Sequence, residues 1–136
     1  MTEPVYGKDL ALYKLERARD EIDTAELLFD HSKYKAANNR AYYAIYYALT
    51  AVLCQEPISF KKHKDTIAYF NKNYVHTGLF SNELGRKISK AEKIRNASDY
   101  NDFYIAGKED ASGQIEAAKE LVKAVEMFIN KQTDTQ

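Results

Sequence analysis

The chain has no tryptophan, one cysteine, two prolines and five glycines among its 136 residues. Each scarcity excludes something. A single cysteine, Cys54, cannot build an intrachain disulfide framework, so a reducing compartment is the expected setting. Glycine and proline together fall well below the roughly 12% that is usual. So few turn formers disfavour an all-β sandwich or barrel, which needs a turn about every ten residues. Basic and acidic residues balance at 20 each, giving a formal net charge of zero. That balance disfavours a chain that coats nucleic acid by charge alone. The longest uncharged apolar run, Ala41–Cys54, is shorter than the about 20 residues of a membrane span. Met1–Tyr13 carries Glu3, Lys8 and Asp9 among its apolar residues, which does not read as a secretory signal. One soluble, cytoplasmic domain is expected, with its core over about residues 8–131.

What the chain does have is helical periodicity and eleven tyrosines. Apolar residues recur at steps of three and four in five stretches. The first, about Lys8–His31, carries Leu12, Leu15, Ala18, Ile22, Ala25 and Leu28/Phe29, with Glu16, Asp20, Asp23 and Asp30 on its other side. The second, about Tyr34–Cys54, repeats Ala37, Ala41, Ala44, Ala48 and Ala51 as a ridge, and Tyr42, Tyr43, Tyr46 and Tyr47 are among the residues filling the other directions. A helix apolar all round is a buried, central one, and each buried tyrosine needs a partner for its hydroxyl. Pro57 marks a break. A third helix, about His63–Tyr74, ends at Thr77-Gly78. The fourth starts at Ser81 or Asn82 and runs to about Ser98 along Leu84, Ile88, Ala91 and Ile94/Arg95. The fifth covers about Glu109–Lys131, with a frayed tail over Gln132–Gln136. Short connections between such helices predict an all-α, up-and-down bundle.

The zero net charge hides a division. Residues 1–30 hold eight acidic and four basic side chains, residues 31–100 five and twelve, and residues 101–136 seven and four. A basic middle lies between acidic flanks. Its charges either pair across the bundle or gather Lys61, Lys62, Lys64, Arg86, Lys87, Lys90, Lys93 and Arg95 into a surface facing an anion.

Few templates for chemistry fit. No glycine-rich phosphate loop or nucleophile elbow occurs, and His31, His63 and His76 stand in no zinc pattern, so no metal or cofactor is expected. Two constellations remain. In the first, Arg40, Tyr43 and Tyr47 share a helix face, where the guanidinium either snorkels and stacks on tyrosine or meets an anion. In the second, Arg95 continues a core-facing stripe and Asp99 follows one turn later. An isolated pair of that kind contributes only about 0.3–0.5 kcal/mol, so an arginine held there also suits a phosphate clamp.

The runs Asn39-Arg40-Ala41-Tyr42-Tyr43-Ala44-Ile45-Tyr46-Tyr47-Ala48, His63-Lys64 through Phe70, and Arg95-Asn96-Ala97-Ser98-Asp99-Tyr100 resemble the HEPN superfamily (higher eukaryotes and prokaryotes nucleotide-binding domain). The resemblance covers about Leu12–Val125 and is nearest to the small stand-alone prokaryotic members. It implies a helical bundle that forms a homodimer and pairs with a minimal nucleotidyltransferase, often as toxin and antitoxin. Active members are metal-independent ribonucleases whose motif is an arginine, a polar residue and, a few residues on, a histidine. Arg95 matches that arginine and Asn96 the polar residue. The histidine position falls on Tyr100, and the tyrosine two places beyond it falls on Asp102. Proton transfer near neutral pH suits histidine, with a pKa of about 6.5, better than tyrosine at about 10. His63 is the other candidate carrier.

The expected function is therefore an RNA- or nucleotide-binding component of a two-gene toxin–antitoxin-like system. Arg95, Asp99 and Tyr100 are the candidate catalytic residues, and Arg40, Tyr43, His63, Lys64 and Asn96 the candidate binding residues. One alternative is an endoribonuclease toxin with a variant Arg-Asn-x-x-Asp-Tyr motif. The other is a non-catalytic helical adaptor or dimerisation module in which Arg95 and Asp99 only fix packing.

Overall fold

A computed structural model describes residues 3–56, 60–101 and 104–134. Pro57, Asp102, Thr135 and Gln136 lie outside the described residues. Five α-helices follow one another: α1 (Glu3–Asp30), α2 (Tyr34–Leu53), α3 (His63–Phe70), α4 (Asn82–Tyr100) and α5 (Lys108–Asp134). No strand occurs among the described residues. The all-α bundle predicted from periodicity is what forms.

The alanine ridge decides the arrangement. Ala37, Ala41, Ala44, Ala48 and Ala51 are fully buried. Side chains this small let neighbouring helices approach closely, and α1 and α5 are the main neighbours of α2. The remaining faces of α2 meet α3 and α4, so α2 touches every other helix. The tyrosine side is thereby left to α3 and α4, and this places the candidate site.

Several boundaries differ from the periodic reading. Helix α1 begins at Glu3, before Lys8, and it buries Ala11 rather than Leu12, which is exposed. Two adjacent apolar residues make either phase possible. The third helix does not run on to Tyr74 as α-helix. Residues Asn71–Val75 form a π-helical turn, with the His76 N–H donating to the Asn71 carbonyl at 2.9 Å. Gly78, at φ 88°, then ends it, and the Phe80 N–H reaches back to the Tyr74 carbonyl at 2.8 Å. The fourth helix starts as expected, with the Ser81 hydroxyl capping the Leu84 N–H at 3.1 Å. It ends at Tyr100, beyond the expected Ser98. Helix α5 continues through residues 132–134, where a frayed tail is expected from the sequence.

The wider π turn presses Val75 onto α4 at Gly85. A Cβ built there would lie 2.8 Å from Val75 Cγ1. The same substitution therefore has opposite outcomes at two helical glycines. Gly113 on α5 has open space, so Gly113→Ala should gain about 0.5–1 kcal/mol. At Gly85 an overpacking cost of about 1–3 kcal/mol exceeds the propensity gain of about 1 kcal/mol, so Gly85→Ala should lose stability. Urea midpoints check both; shifts of the same sign would contradict the close approach.

Candidate functional site

The site is built on one face of α2. Asn38, Tyr42 and Tyr46 follow at four-residue spacing and share that face. Tyr42 is 1% exposed, and its hydroxyl needs a partner. It finds Nδ1 of His63, the first residue of α3, at 3.1 Å. One turn on, the Tyr46 hydroxyl meets Thr66 Oγ1 at 3.2 Å. The His63 ring stacks on Tyr46 at 3.9 Å between centroids and lies near-parallel to Tyr42 at 5.8 Å. Tyr43 meets both Tyr42 and His63 edge-on. The N-terminus of α3 is thus fastened to α2 through aromatic rings.

The C-terminal part of α4 meets the same rings. The Arg95 guanidinium lies 5.2 Å from the Tyr42 ring centroid, a cation–π contact. Its Nε stands 3.1 Å from Asp99 Oδ2, the pairing expected from the spacing. That approach is electrostatic, without hydrogen-bond alignment, and Nε remains a buried donor with no hydrogen-bond acceptor among the described residues. The Arg95 side chain as a whole is 22% exposed. Asn38, 2% exposed, leaves both its amide nitrogen and oxygen without partners there. A guanidinium fixed by a carboxylate and a ring, with part of its surface open, suits a polar ligand.

The electrostatics follow from this packing. Burial pushes the Tyr42 phenol up to about 12, although Arg95 opposes it. Tyr42 stays protonated and acts as a hydrogen-bonding support. Burial, and then the Arg95 charge, lower the His63 pKa from its ordinary value. In the tautomer in which Nδ1–H donates to the Tyr42 oxygen, the neutral imidazole can accept a proton at Nε2, which is unpartnered among the described residues.

The other sequence-predicted residues divide. Arg40 has internal partners: Nη1 donates to Glu21 Oε1 at 3.1 Å, and the guanidinium lies 5.1 Å from the Tyr43 centroid. This is the snorkelled, stacked alternative. Tyr47 belongs instead to Arg17, which donates to its hydroxyl at 3.0 Å. Tyr100 is 79% exposed, and no ring contact, hydrogen bond or ion pair of its side chain ties it to the cluster. Lys64 and Asn96 are exposed beside His63 and Arg95. The charged surface also splits. Lys87 pairs with Glu120 and Glu83, whereas Arg86, Lys90 and Lys93 join His76, Asn71 and Ser89 around a separate cavity of about 440 Å³. No group of three or more potential metal-ligating side chains gathers among the described residues, and none of their helices is long and apolar enough to cross a membrane. Asn38, Tyr42 and Tyr46 are not among the site residues expected from the sequence, although Tyr42 and Tyr46 lie in the run that carries the family resemblance. Their four-residue spacing is the available signal.

The His63 environment has a measurable consequence. Its ring takes up a proton below 6.5 in the folded chain and near 6.5 when unfolded. Between those values the unfolded state holds more protons, so this residue's contribution to stability falls as the pH drops below about 6.5. Thermal unfolding followed from about pH 7.5 to pH 5 should therefore lose stability more steeply in the parent than in His63→Gln. Parallel curves would contradict the assignment.

The HEPN domain family matches residues 11–128. A UPF0332 protein of Thermotoga maritima is 33% identical over 117 residues, 86% of this chain and 89% of its own. A provisionally named toxin of Methanocaldococcus jannaschii is 30% identical over 117 residues, covering 86% of this chain and 81% of that protein. A second provisionally named toxin from that organism is 28% identical, covering 86% and 75%. The crystal structure of TT1696 from Thermus thermophilus shares the fold, with a TM-score of 0.70 at 20% identity over 86% of this chain and 96% of that one. The helical bundle that brings Arg95 and His63 to one buried tyrosine belongs to the HEPN domain family.

Proposed function

We propose that this chain is the toxin-like component of a two-gene system, working as a homodimer, pairing with a minimal nucleotidyltransferase and contacting RNA or nucleotide through Arg95. Membership of the HEPN family and the provisional naming of two similar proteins as toxins support the toxin-like role. One observation carries the contact: the Arg95 guanidinium is held in place by Asp99 and Tyr42 while its side chain stays 22% exposed. A fixed, partly desolvated guanidinium recognises phosphate oxygens with charge-assisted hydrogen bonds of about 1.5–3 kcal/mol.

Cleavage is the second reading, and His63 favours it. A neutral ring beside the arginine supplies the proton carrier that the Arg95-Asn96 motif lacks at Tyr100. In that reading His63 accepts the 2′-hydroxyl proton of a ribose as its oxygen attacks the adjacent phosphorus. Arg95 balances the phosphate charge, and the departing 5′-oxygen takes a proton from water. His63, rather than Asp99 or Tyr100, is then the catalytic group.

Binding of a labelled oligoribonucleotide and its integrity in chelator test both readings. Arg95→Ala should weaken binding about tenfold or more with helical content unchanged, and Arg95→Lys should recover part of it. Equal affinity in Arg95→Ala and parent would remove the contact. His63→Gln should keep binding and abolish any cleavage; undiminished cleavage in that variant would sink the second reading.

A further inference from the structure

Three basic side chains follow one another along a single face of α4. Arg86, Lys90 and Lys93 are spaced by four and then three residues, so they form a row about 10.5 Å long. All three are exposed. Like charges at that spacing repel one another and lower the stability of a helix. Neighbouring Lys87 is offset by Glu83 and Glu120. No carboxylate relieves the row: among the described residues, none of its three members enters an ion pair.

The row forms one wall of the cavity of about 440 Å³ between α4 and the π turn. The π turn and the residue after it form the other wall, supplying Asn71 and His76, and π segments recur at functional sites. Val75, seated against Gly85, holds the two walls together. The lining contains no carboxylate and no phenyl or phenol ring. Asn82 and Ser89, also in the lining, can donate hydrogen bonds to an oxyanion. Such a site takes a chain of negative charges by its backbone and gives a base no phenyl or phenol ring to stack on.

One strand of a nucleic-acid duplex advances about 3.4 Å per phosphate, so a row about 10.5 Å long matches about three successive phosphates. Arg95 follows Arg86 by nine residues, about two and a half turns, and so lies on the opposite face of α4. The row is therefore separate from the site that Arg95 shares with His63. We propose that Arg86, Lys90 and Lys93 form an RNA exosite, holding successive backbone phosphates of a strand longer than the segment at Arg95. The choice of RNA rests on the function proposed above; the attraction for a phosphate backbone rests on the row itself.

Binding of two RNA probes to the full chain across a salt series tests it. One is a dinucleotide with a single linking phosphate, and the other a strand about twenty nucleotides long. Lys90→Glu puts a carboxylate between Arg86 and Lys93, turning two repulsions into attractions. It should melt at or above the parent temperature, yet bind the long strand about tenfold more weakly and with a shallower salt dependence. Its affinity for the dinucleotide should match the parent. Lys131→Glu changes the net charge equally near the end of α5 and should bind both probes like the parent. Parent affinity of Lys90→Glu for the long strand would overturn the exosite, as would an equal loss in Lys131→Glu. If Arg95→Ala weakens both probes and Lys90→Glu neither, the exosite fails and the Arg95 contact stands. If Lys90→Glu alone weakens the long strand, the Arg95 contact fails and the exosite stands. No binding of the long strand by the parent would also overturn the exosite, and binding of poly-glutamate in its place would assign the row to an acidic protein segment.

Discussion

The burial of one phenol organises this molecule's functional face. Tyr42 sits at 1% exposure in the middle of the central helix, and its hydroxyl cannot be left without a partner there. His63 meets that requirement from the first residue of α3, across the connection that follows α2. Satisfying Tyr42 therefore fixes where α3 begins, stacks the imidazole on Tyr46 and leaves the Tyr42 ring within reach of Arg95. The alanine ridge makes this possible by assigning α1 and α5 to the opposite side of α2. Close helix packing on one side and ring packing on the other are two consequences of the same sequence.

The charges follow a parallel logic. A zero net charge combines acidic flanks with a basic middle, and the structure pairs part of that middle with the flanks. Arg40 reaches Glu21 on α1, and Lys87 reaches Glu120 on α5. Exposed pairs such as Lys87–Glu120 contribute little to stability, but they remove those cations from any surface that could attract an anion. What remains is scattered: Arg95 against the aromatic cluster, Lys33 and Lys35 at the start of α2, Lys61, Lys62 and Lys64 around the start of α3, Lys72 in the π turn, and a separate basic cavity along α4. An anionic partner would be met at these points and not by a general field.

The bundle was legible because long amphipathic periodicity survives tertiary packing. The buried alanines, the Ser81 cap and the Arg95–Asp99 pair all follow from spacing within a single helix. Structure and periodicity part where packing chooses between equivalent local options, as between Ala11 and Leu12, and where the backbone departs from α geometry at Asn71–Val75. The π turn has no side-chain signature in a single chain. The meeting of His63 with Arg95 was not legible either, since the two lie on different helices and are joined only through Tyr42.

His63 and Arg95 share one environment around Tyr42, and the titration of the His63 ring reports that most directly. NMR of the His63 imidazole should give a midpoint below 6.5 in the parent and a higher one in Arg95→Gln, because removing the neighbouring cation removes part of the penalty on the protonated ring. A midpoint at or above 6.5 in the parent, unmoved by the substitution, would contradict it.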